Sequence, residues 1–359
     1  MSSKQLFPWD AYSDQPYILK RETKKALRKG HGLDYLKLIA TNLIYFPYLF
    51  IRFLIKKKTN HSSKTTNTNI GLCVNVDKGQ EQHALIEELG VKSLQIRVFL
   101  NDMNNIDKYI AFAKGFGENK EFLITIIQDR EHIENHKLLI QDITIIFKKF
   151  ENMATEFQIG NAINRIKWSF ISMEEYLAFY KSIQEIRDKH FPNIKLIGSS
   201  IIDFEYHFSI RTLFNNYKIH YDKFSTLLYV DRRGSPYSTQ MGFFNFKNKI
   251  EFLDTIVRNT KKSENSIYIT EANWPLSNTA PYAPTSEKEC VSEKFYAQYM
   301  LEYFEIALKT NKIEKIFWHQ LIAPGYGLVD NREEKIRKTE AFYAFKNFLN
   351  KKNPQNKER

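Results

Sequence analysis

Residues 266–275 read SIYITEANWP, a short apolar run that gives way to a carboxylate at Glu271. β-Branched and aromatic side chains over so few residues predict a buried β-strand, and Pro275 prevents its continuation. Glu271 therefore stands at the carboxyl end of a predicted strand. Because a buried carboxylate needs a specific partner, it indicates either a functional site or a structural ion pair with Arg97.

Seven further runs of this kind occur along the chain. They are Ile70–Val76, Ser93–Phe99, Phe122–Gln128, Glu156–Ala162, Lys195–Phe204, Ser225–Asp231 and Lys315–Gln320. Short apolar strands that alternate with helical patterns indicate a parallel sheet with crossover helices. Eight such units predict an α/β fold, a (β/α)8 TIM barrel, over residues 70–351. A doubly wound open sheet is the competing architecture, but the Gly-rich first turn that it normally carries is absent.

Helical periodicity fills the connections between these runs. The helical stretches are Gln80–Leu89, Ile106–Gly115, Ile133–Asn152, Met173–His190, Lys247–Lys262, Ser292–Thr310 and Lys335–Lys351. The connection 210–221 has no clear pattern. Outside the barrel, we expect a basic segment with an apolar helix over residues 1–58, a polar linker over 59–69 and a polar tail over 352–359.

Polar and aromatic side chains cluster where the predicted strands end. In chain order they are Arg97, Asn161, Asp203, Glu205, His207, Tyr229, Asp231, Arg232, Arg233, Glu271, Trp274 and Trp318. The carboxyl ends of barrel strands meet at one face, and that face carries the chemistry of such folds. We therefore expect a single cleft with Glu271 at its floor.

Five of these residues occur in motifs whose order resembles that of retaining (β/α)8 glycoside hydrolases, the clan of β-xylosidase- and cellulase-like barrels. The motifs are Arg97 in QIRVF, Asn161 in FQIGNAINRIKW, Tyr229 in LLYVDRRG, Glu271 in YITEANWP and Trp318 in FWHQL. The resemblance implies that Glu271 is the nucleophile and that Arg97 and Tyr229 contact it. It also implies that Asn161 binds a sugar hydroxyl and that Trp318 is a sugar platform.

One position departs from that pattern, because Ala162 stands where the clan has its acid/base glutamate. Retaining hydrolysis uses two carboxyl groups about 5–5.5 Å apart, and a methyl group donates no proton. Asp203 or Glu205 replaces the missing acid, or Glu271 acts on a leaving group that needs little protonation, or the barrel binds carbohydrate without catalysis. Glu156 is also acidic, but it begins its strand and so belongs to the wrong end of the barrel.

The turn at residues 231–234 is compact and charged. Arginine binds carboxylate or phosphate through paired hydrogen bonds, so Asp231 and Arg232 predict recognition of an acidic or phosphorylated sugar, with an internal ion pair as the alternative. Trp274 is a second residue for stacking on sugar, or a core residue. We expect no cofactor and no metal, because the two cysteines and scattered histidines form no ligand pattern and the Gly-rich stretch 323–330 lacks a phosphate-loop motif.

The N-terminal segment holds most of the positive charge. Residues 1–68 contain thirteen Lys and Arg against four Asp and Glu, while the whole chain has a net charge of +12. The apolar stretch between Lys37 and Arg52 is short of the roughly 20 residues that a spanning helix needs. Basic flanks on both sides favour a helix lying on an anionic membrane surface, through residues 20–58. A helix packed on the barrel wall is the main alternative, and a transmembrane span a remote one.

These features together define an expected function. The first thirty residues lack the apolar run and cleavage site of a signal peptide, so we expect a cytoplasmic protein, peripheral at the membrane. No nucleic-acid-binding module is present. We expect a glycoside hydrolase-like protein acting on a glycan or glycolipid, such as a cell-envelope polysaccharide or its lipid-linked precursor, with Glu271 as nucleophile or base. The alternative is a non-catalytic carbohydrate-binding or glycan-assembly protein on the same barrel.

Overall fold

The computed structural model describes residues 6–59, 68–231 and 234–352. The chain begins with a small antiparallel hairpin of β1 (Trp9–Asp10) and β2 (Gln15–Pro16), followed by helices α1 (Arg21–Arg28) and α2 (Gly32–Thr59). The carboxylate of Asp10 builds the hairpin turn, because it accepts hydrogen bonds from the Tyr12 amide at 3.0 Å and the Ser13 hydroxyl at 2.7 Å.

Eight parallel strands form a closed barrel. They are β3 (Asn69–Val74), β4 (Ser93–Phe99), β5 (Glu121–Ile127), β6 (Glu156–Ile159), β7 (Lys195–Ile202), β8 (Lys223–Leu227), β9 (Ile267–Ile269) and β10 (Ile313–Trp318). Each strand pairs with the next in sequence, and β10 pairs with β3 to close the ring, with Ile316 beside Ile70. The (β/α)8 TIM-barrel prediction is confirmed, and the doubly wound alternative is wrong.

The helices lie around the barrel. They are α3 (Glu81–Leu89), α4 (Ile106–Lys114), α5 (Arg130–Glu134), α6 (His136–Phe150), α7 (Met173–His190), α8 (Tyr206–Leu213), α9 (Phe246–Arg258), α10 (Glu293–Thr310) and α11 (Glu340–Lys352). Side-chain caps explain several starts; for example, the Ser172 hydroxyl accepts the amide of Glu175 at the start of α7.

Two connections differ from the sequence-based prediction. The unpatterned connection 210–221 contains the second half of α8, which begins at Tyr206 and ends at Leu213. The last helix begins at Glu340 instead of Lys335, because β12 (Arg337–Lys338) first pairs with β11 (Val329–Asp330) as a short antiparallel ladder. Most of the expected linker, positions 60–67, and the tail from 353 lie outside the described residues.

The interior of the barrel is filled by a small apolar cluster. Leu123, Ile197, Tyr268 and Phe317 come from β5, β7, β9 and β10 and are buried together. Such layers normally draw on alternate strands. The β3 position is Gly71, where a Cβ atom would lie 2.7 Å from the Phe317 ring. Phe317 thus fills the space that a side chain of β3 would otherwise occupy.

The amino-terminal end of the barrel carries a charged network. Lys315 pairs with Glu121 at 3.2 Å and with Glu156 at 3.1 Å, and the Tyr268 hydroxyl donates to Glu156 at 2.7 Å. Glu156 therefore lies at the base of the barrel, as its position at the start of β6 predicted. This end holds the fold together and leaves the opposite face for a site.

Helix α2 packs along the barrel wall. Leu49 and Phe53 are buried, the Phe46 ring stacks on Tyr206 of α8 at 5.2 Å, and Lys56 pairs with Asp254 of α9 at 2.5 Å. The interpretation of this helix as a wall-packed element is thereby confirmed for one of its faces. The buried contacts also bind the N-terminal segment to the barrel.

The other face of α2 is exposed and apolar. Its outward residues are Leu33, Leu36, Ile39, Leu43, Ile44, Tyr48, Ile51, Leu54 and Ile55. By length and composition alone, Gly32–Lys56 is long and apolar enough to cross a membrane, with 17% of its most apolar window buried in the protein. Exposed apolar surface of this extent on one element marks a contact surface.

Candidate active site

The carboxyl ends of the strands bring together several of the residues expected from the sequence. The Tyr229 hydroxyl, just after β8, donates to Glu271 Oε1, just after β9, at 2.6 Å. Tyr229 is buried, whereas Glu271 is partly exposed. A short bond from a buried donor to a carboxylate oxygen fixes the orientation of Glu271.

Arg97 supplies positive charge beside this pair. It is buried, and its Nε donates to Asn75 Oδ1 at 3.1 Å, while the Asn75 amide donates to Gln320 at the end of β10. Burial alone would lower the pKa of Arg97, but the surrounding acidic groups, Glu271 among them, raise it above its ordinary value. Arg97 is therefore a permanent cation at the barrel mouth.

A cysteine lies in the same region. Burial raises the pKa of the Cys73 thiol on β3 to about 12, and the charge of Arg97 offsets this only in part. A thiol with so high a pKa is a poor nucleophile. The chemistry of the mouth therefore belongs to its carboxylates and cations.

Asn161 and Ala162 follow β6 at the position of the missing acid. Asn161 is buried, its backbone exchanges hydrogen bonds with the Gln128 side chain, and its Nδ2 has no partner among the described residues. An unpartnered buried amide is costly, and Asn161 Nδ2 is therefore a hydrogen-bond donor available at the end of β6. Ala162 has φ of 45° and is fully buried against Trp168, Tyr229 and other apolar side chains. Apolar packing thus surrounds Ala162, the position at which the resemblance implied an acid.

Asp203 and Glu205 lie after β7 but are held by one arginine. Arg165 donates to Asp203 at 2.6 Å and to Glu205 at 2.7 Å, and Asn164 also donates to Glu205 at 2.6 Å. These carboxylates raise the pKa of Arg165 despite its burial. Both acids are thus ion-pair partners of Arg165.

The two tryptophans do not face the cleft. Trp318 is fully buried, its indole donates to the Tyr296 hydroxyl at 2.8 Å, and it stacks on Trp274 at 5.9 Å. The Trp274 indole donates to the Gly234 carbonyl at 3.0 Å. The expectation of Trp318 as a sugar platform is wrong, and for Trp274 the core alternative holds. Successive strand residues point to opposite faces, so Phe317 facing the interior directs Trp318 outward.

The charged turn after β8 is only partly described. Asp231 is partly exposed, while Arg232 and Arg233 lie outside the described residues. Recognition of an acidic sugar by Asp231 and Arg232 therefore stays a prediction.

The N-terminal hairpin supplies site residues that sequence reasoning missed. Asp14 is buried in the mouth, where it accepts hydrogen bonds from Lys78 at 3.0 Å, Gln320 at 2.7 Å and Tyr326 at 2.9 Å. The sequence offers only a local signal for this hairpin: Asp10, two residues before Tyr12, is typical of a turn closed by an Asp side chain. That signal does not predict the partners of Asp14, which lie far along the chain.

Lys167 is a second functional group brought in by the loop after β6. Its Nζ donates to Gln15 Oε1 of the hairpin at 2.6 Å. Burial, and then the neighbouring Arg165 cation, lower the pKa of Lys167 to about 8, against the opposing attraction of Glu271. The mouth thus contains one lysine whose charge state changes near neutral pH.

A cavity of about 670 Å³ opens between the hairpin and the ends of β3 and β4. Phe7, Trp9, Phe99 and Tyr109 give it aromatic walls. Its polar lining is Asp14, Asn75, Asp77, Arg97, Asn101, Asp102, Asn105 and Lys108. Its volume lies within the range of small-molecule sites, and aromatic walls with carboxylates and amides suit a polyhydroxylated ligand.

One group of side chains has the spacing of metal ligands. Ligand atoms of His220, Asp222 and Glu264 lie within 4.8 Å of one another, near the start of β8. Asp222 already pairs with Arg187 at 2.6 Å and accepts the Leu196 amide at 2.7 Å. The cluster is therefore a structural ion pair at the base of the barrel, remote from the mouth.

No family model matches the chain, and no curated protein sequence does. Solved structures similar to it are glycoside hydrolase barrels. The GH39 enzyme from Xanthomonas axonopodis pv. citri has a TM-score of 0.55 at 13% identity, covering 79% of this chain and 68% of that one. A GH39 β-xylosidase from Caulobacter crescentus has a TM-score of 0.55 at 12% identity, covering 81% and 73%.

The exo-β-1,4-mannosidase Op5Man5 from Opitutaceae bacterium strain TAV5 has a TM-score of 0.53 at 11% identity, covering 83% of this chain and 63% of that one. Identities this low establish the fold alone. The chain thus has a (β/α)8 barrel fold similar to that of these glycoside hydrolases.

Proposed function

We propose that the protein is a glycoside hydrolase in which Glu271 acts as nucleophile or base at the anomeric carbon of a glycan or glycolipid. The observation that carries this proposal is the 2.6 Å hydrogen bond from Tyr229 to Glu271 at the barrel mouth. Arg97 stands beside it as a buried cation. A carboxylate held ionised and fixed in direction is what a nucleophile or base of this reaction requires.

The similar structures support a glycoside as the substrate class. Their names include xylosidases, a mannosidase and glucuronidases. The orphaned Asn161 amide and the aromatic cavity walls fit a sugar with several hydroxyl groups. The chemistry common to these enzymes is the cleavage of a bond to an anomeric carbon, and we assign that chemistry to Glu271.

Cleavage of a glycosidic bond normally requires a proton for the leaving group. Ala162 supplies none, and Asp203 and Glu205 are engaged by Arg165. A leaving group such as dinitrophenolate departs without protonation, whereas an alkoxide does not. We therefore expect hydrolysis of dinitrophenyl β-glycosides and a steep fall in rate as the leaving group becomes more basic.

The experiment is to measure turnover of dinitrophenyl, nitrophenyl and methyl β-xylosides, mannosides and glucuronides. Glu271→Gln keeps the shape of the side chain and is expected to lower the rate by roughly 10²–10⁴-fold or more. Ala162→Glu is expected to raise the rate on methyl glycosides and to leave that on dinitrophenyl glycosides almost unchanged. Wild-type rates in Glu271→Gln would remove Glu271 from catalysis.

A non-catalytic carbohydrate-binding or glycan-assembly protein is the second candidate. The apolar cluster around Ala162 favours it, because it fills the acid/base position with packed side chains. Calorimetric titration with methyl glycosides separates the two functions. Binding without turnover of any activated glycoside, in both wild type and Ala162→Glu, would establish the binder.

We also propose that helix α2 attaches the protein to an anionic membrane surface on the cytoplasmic side. Its outward face exposes Leu36 by 59%, Leu43 by 73% and Ile44 by 68%. Basic residues precede it in α1, and Lys37 and Arg52 lie along it. Apolar side chains entering the acyl boundary while cations meet lipid phosphates is the binding mode of interfacial helices.

Co-sedimentation with vesicles of phosphatidylcholine and phosphatidylserine tests this attachment. Leu36→Glu/Leu43→Glu is expected to abolish sedimentation, because two carboxylates then face the lipid. Ile140→Glu on α6 is the matched control, since Ile140 is exposed by 45% on another part of the barrel. If the control lost as much co-sedimentation as the double variant, or if the double variant lost none, the proposal would be wrong.

A further inference from the structure

The hairpin β1–β2 crosses the barrel mouth from one side to the other. Its residues contact the segments that follow five different strands. Trp9 packs edge-on against Phe99 of β4 and Trp168 after β6, at 5.3 and 5.6 Å. On the opposite side, Tyr12 packs on Tyr282 at 5.4 Å, and Gln15 donates to the Pro284 carbonyl at 3.2 Å.

Asp14 fixes the centre of the hairpin. Its carboxylate receives Lys78 from the segment after β3, and Gln320 and Tyr326 from the segment after β10. The Tyr326 hydroxyl is buried, and its pKa is raised well above the ordinary value by that burial and by Asp14. A buried carboxylate with three donors is a strong anchor, because removing any partner leaves a charged group unsatisfied.

Asp14 adopts φ of 50°, in the left-handed region that non-glycine residues rarely occupy. Such backbone strain persists only where surrounding contacts over-determine it. Here those contacts are the hydrogen bonds of the carboxylate itself. The hairpin is therefore held in one position across the mouth.

We propose that the hairpin β1–β2 is a fixed wall of the site, so that the barrel mouth receives the end of a glycan chain and excludes the middle of one. A glycan chain lying across an open mouth needs a groove that continues on both sides. The hairpin interrupts such a groove between the loop after β6 and the segment at residues 282–284. The choice of a glycan rests on the function proposed above, whereas the wall does not.

The cavity beside the hairpin indicates where the chain terminus lies. Phe7, Trp9 and Asp14 form one side of it, and Asn75, Arg97 and Phe99 form the other. The N-terminal segment thus adds two aromatic rings and a carboxylate to the lining that the barrel provides. A terminal sugar placed there meets a ring face and hydrogen-bonding groups on both sides.

The first test measures access to the mouth without any glycan. The double variant Glu271→Cys/Cys290→Ser places a reporter thiol at the mouth. Its remaining native thiol is Cys73, which is buried. We compare the rates of modification by iodoacetamide and by a polyethylene-glycol maleimide. Wild-type hairpin is expected to admit the small reagent and to slow the polymer. Adding Trp9→Ala/Asp14→Ala is expected to raise the polymer-to-small rate ratio by a factor of roughly 5 to 30, the shift that loss of one or two such contacts produces.

Tyr17→Ala/Glu22→Ala is the matched control, because both side chains belong to the same N-terminal segment and are exposed. It is expected to leave the ratio unchanged. Thermal unfolding of each variant serves as a check that the barrel is folded. If the polymer-to-small rate ratio is the same with and without Trp9 and Asp14, the hairpin is not a wall of the mouth.

The second test uses carbohydrate. Calorimetric titration compares methyl β-xyloside and β-mannoside with xylan and β-1,4-mannan whose non-reducing ends are blocked. Wild type is expected to bind only the short glycosides, and Trp9→Ala/Asp14→Ala to lose affinity for them and to gain binding of the blocked polymers. Binding of blocked polymers by wild type overturns the selection of chain ends. If the hairpin substitutions change the modification rates but no carbohydrate binds, the hairpin is still a wall of the mouth and the proposed glycosidase function is rejected.

Discussion

Two lysines at opposite ends of the barrel have opposite electrostatic environments. Lys315 at the base lies between Glu121 and Glu156, and although burial lowers its pKa, these carboxylates raise it above the ordinary value. Lys167 at the mouth is partly buried near Arg165, and burial, followed by the charge of Arg165, lowers its pKa to about 8. The lysine at the base is paired with carboxylates, whereas the lysine at the mouth lies near another cation.

The same contrast extends to the backbone and the amides. Near the mouth, Asp14, Ala162 and Asp203 have φ of 50°, 45° and 62°, and the Asn161 amide is unpartnered among the described residues. Strained backbone and unsatisfied polar groups are typical of functional sites, where ligand binding, not stability, determines which conformations are retained. These features accompany the residues that we propose to form the site.

The largest expected effect is at the base. Lys315→Met leaves the mostly buried Glu156 and the exposed Glu121 without their cation, and we expect a loss of about 3 kcal/mol of unfolding free energy, the lower limit for breaking a buried pair. Chemical denaturation of the two proteins measures it. Lys309→Met on the exposed face of α10 is the matched control, since its ion pair with Glu305 is exposed on both sides. A loss as small as that of the control would show that the base network does not hold the barrel.

A smaller effect is expected where the hairpin meets the mouth. Asp14→Ala removes a carboxylate with three donors and leaves the buried Tyr326 hydroxyl only its longer bond to the Ser13 carbonyl, at a cost of roughly 1.5–3 kcal/mol. Hydrogen exchange is expected to increase across residues 9–16 while that of β4 and β5 stays unchanged. Increased exchange throughout the barrel would mean that the hairpin stabilises the whole fold.

Much of the barrel was predictable from sequence. Ser93–Phe99 and Met173–His190 match a strand and a helix to the residue, because strand and helix periodicities are local properties. Glu271 at a strand end followed from the same reasoning. Trp318 was misjudged because the sequence shows which residues form a strand but not which face each side chain takes.

The hairpin was beyond prediction for a different reason. Asp14 finds its partners Gln320 and Tyr326 more than three hundred positions away. No periodicity links an eight-residue polar hairpin to a loop that far along the chain. Only the closed ring, in which β10 returns to β3, brings the two ends of the sequence together at the mouth.

The smallest expected effect is the titration of Lys167. Its folded pKa of about 8 lies below the value of 10.5 for an unperturbed lysine, so the unfolded chain binds more protons between these limits. Stability contributed by this group is therefore lowest below pH 8 and rises as the pH increases towards 10.5, by about 1–2 kcal/mol once the roughly 1.4 kcal/mol per pH unit is discounted for solvent screening of a partly exposed group. Lys167→Met removes the titrating group, so the difference in unfolding free energy between wild type and variant, measured from pH 7 to 10, isolates it. A difference that stays flat would show that Lys167 remains as freely charged as a surface lysine and would erase the contrast with Lys315, whose raised pKa keeps its contribution intact throughout that range.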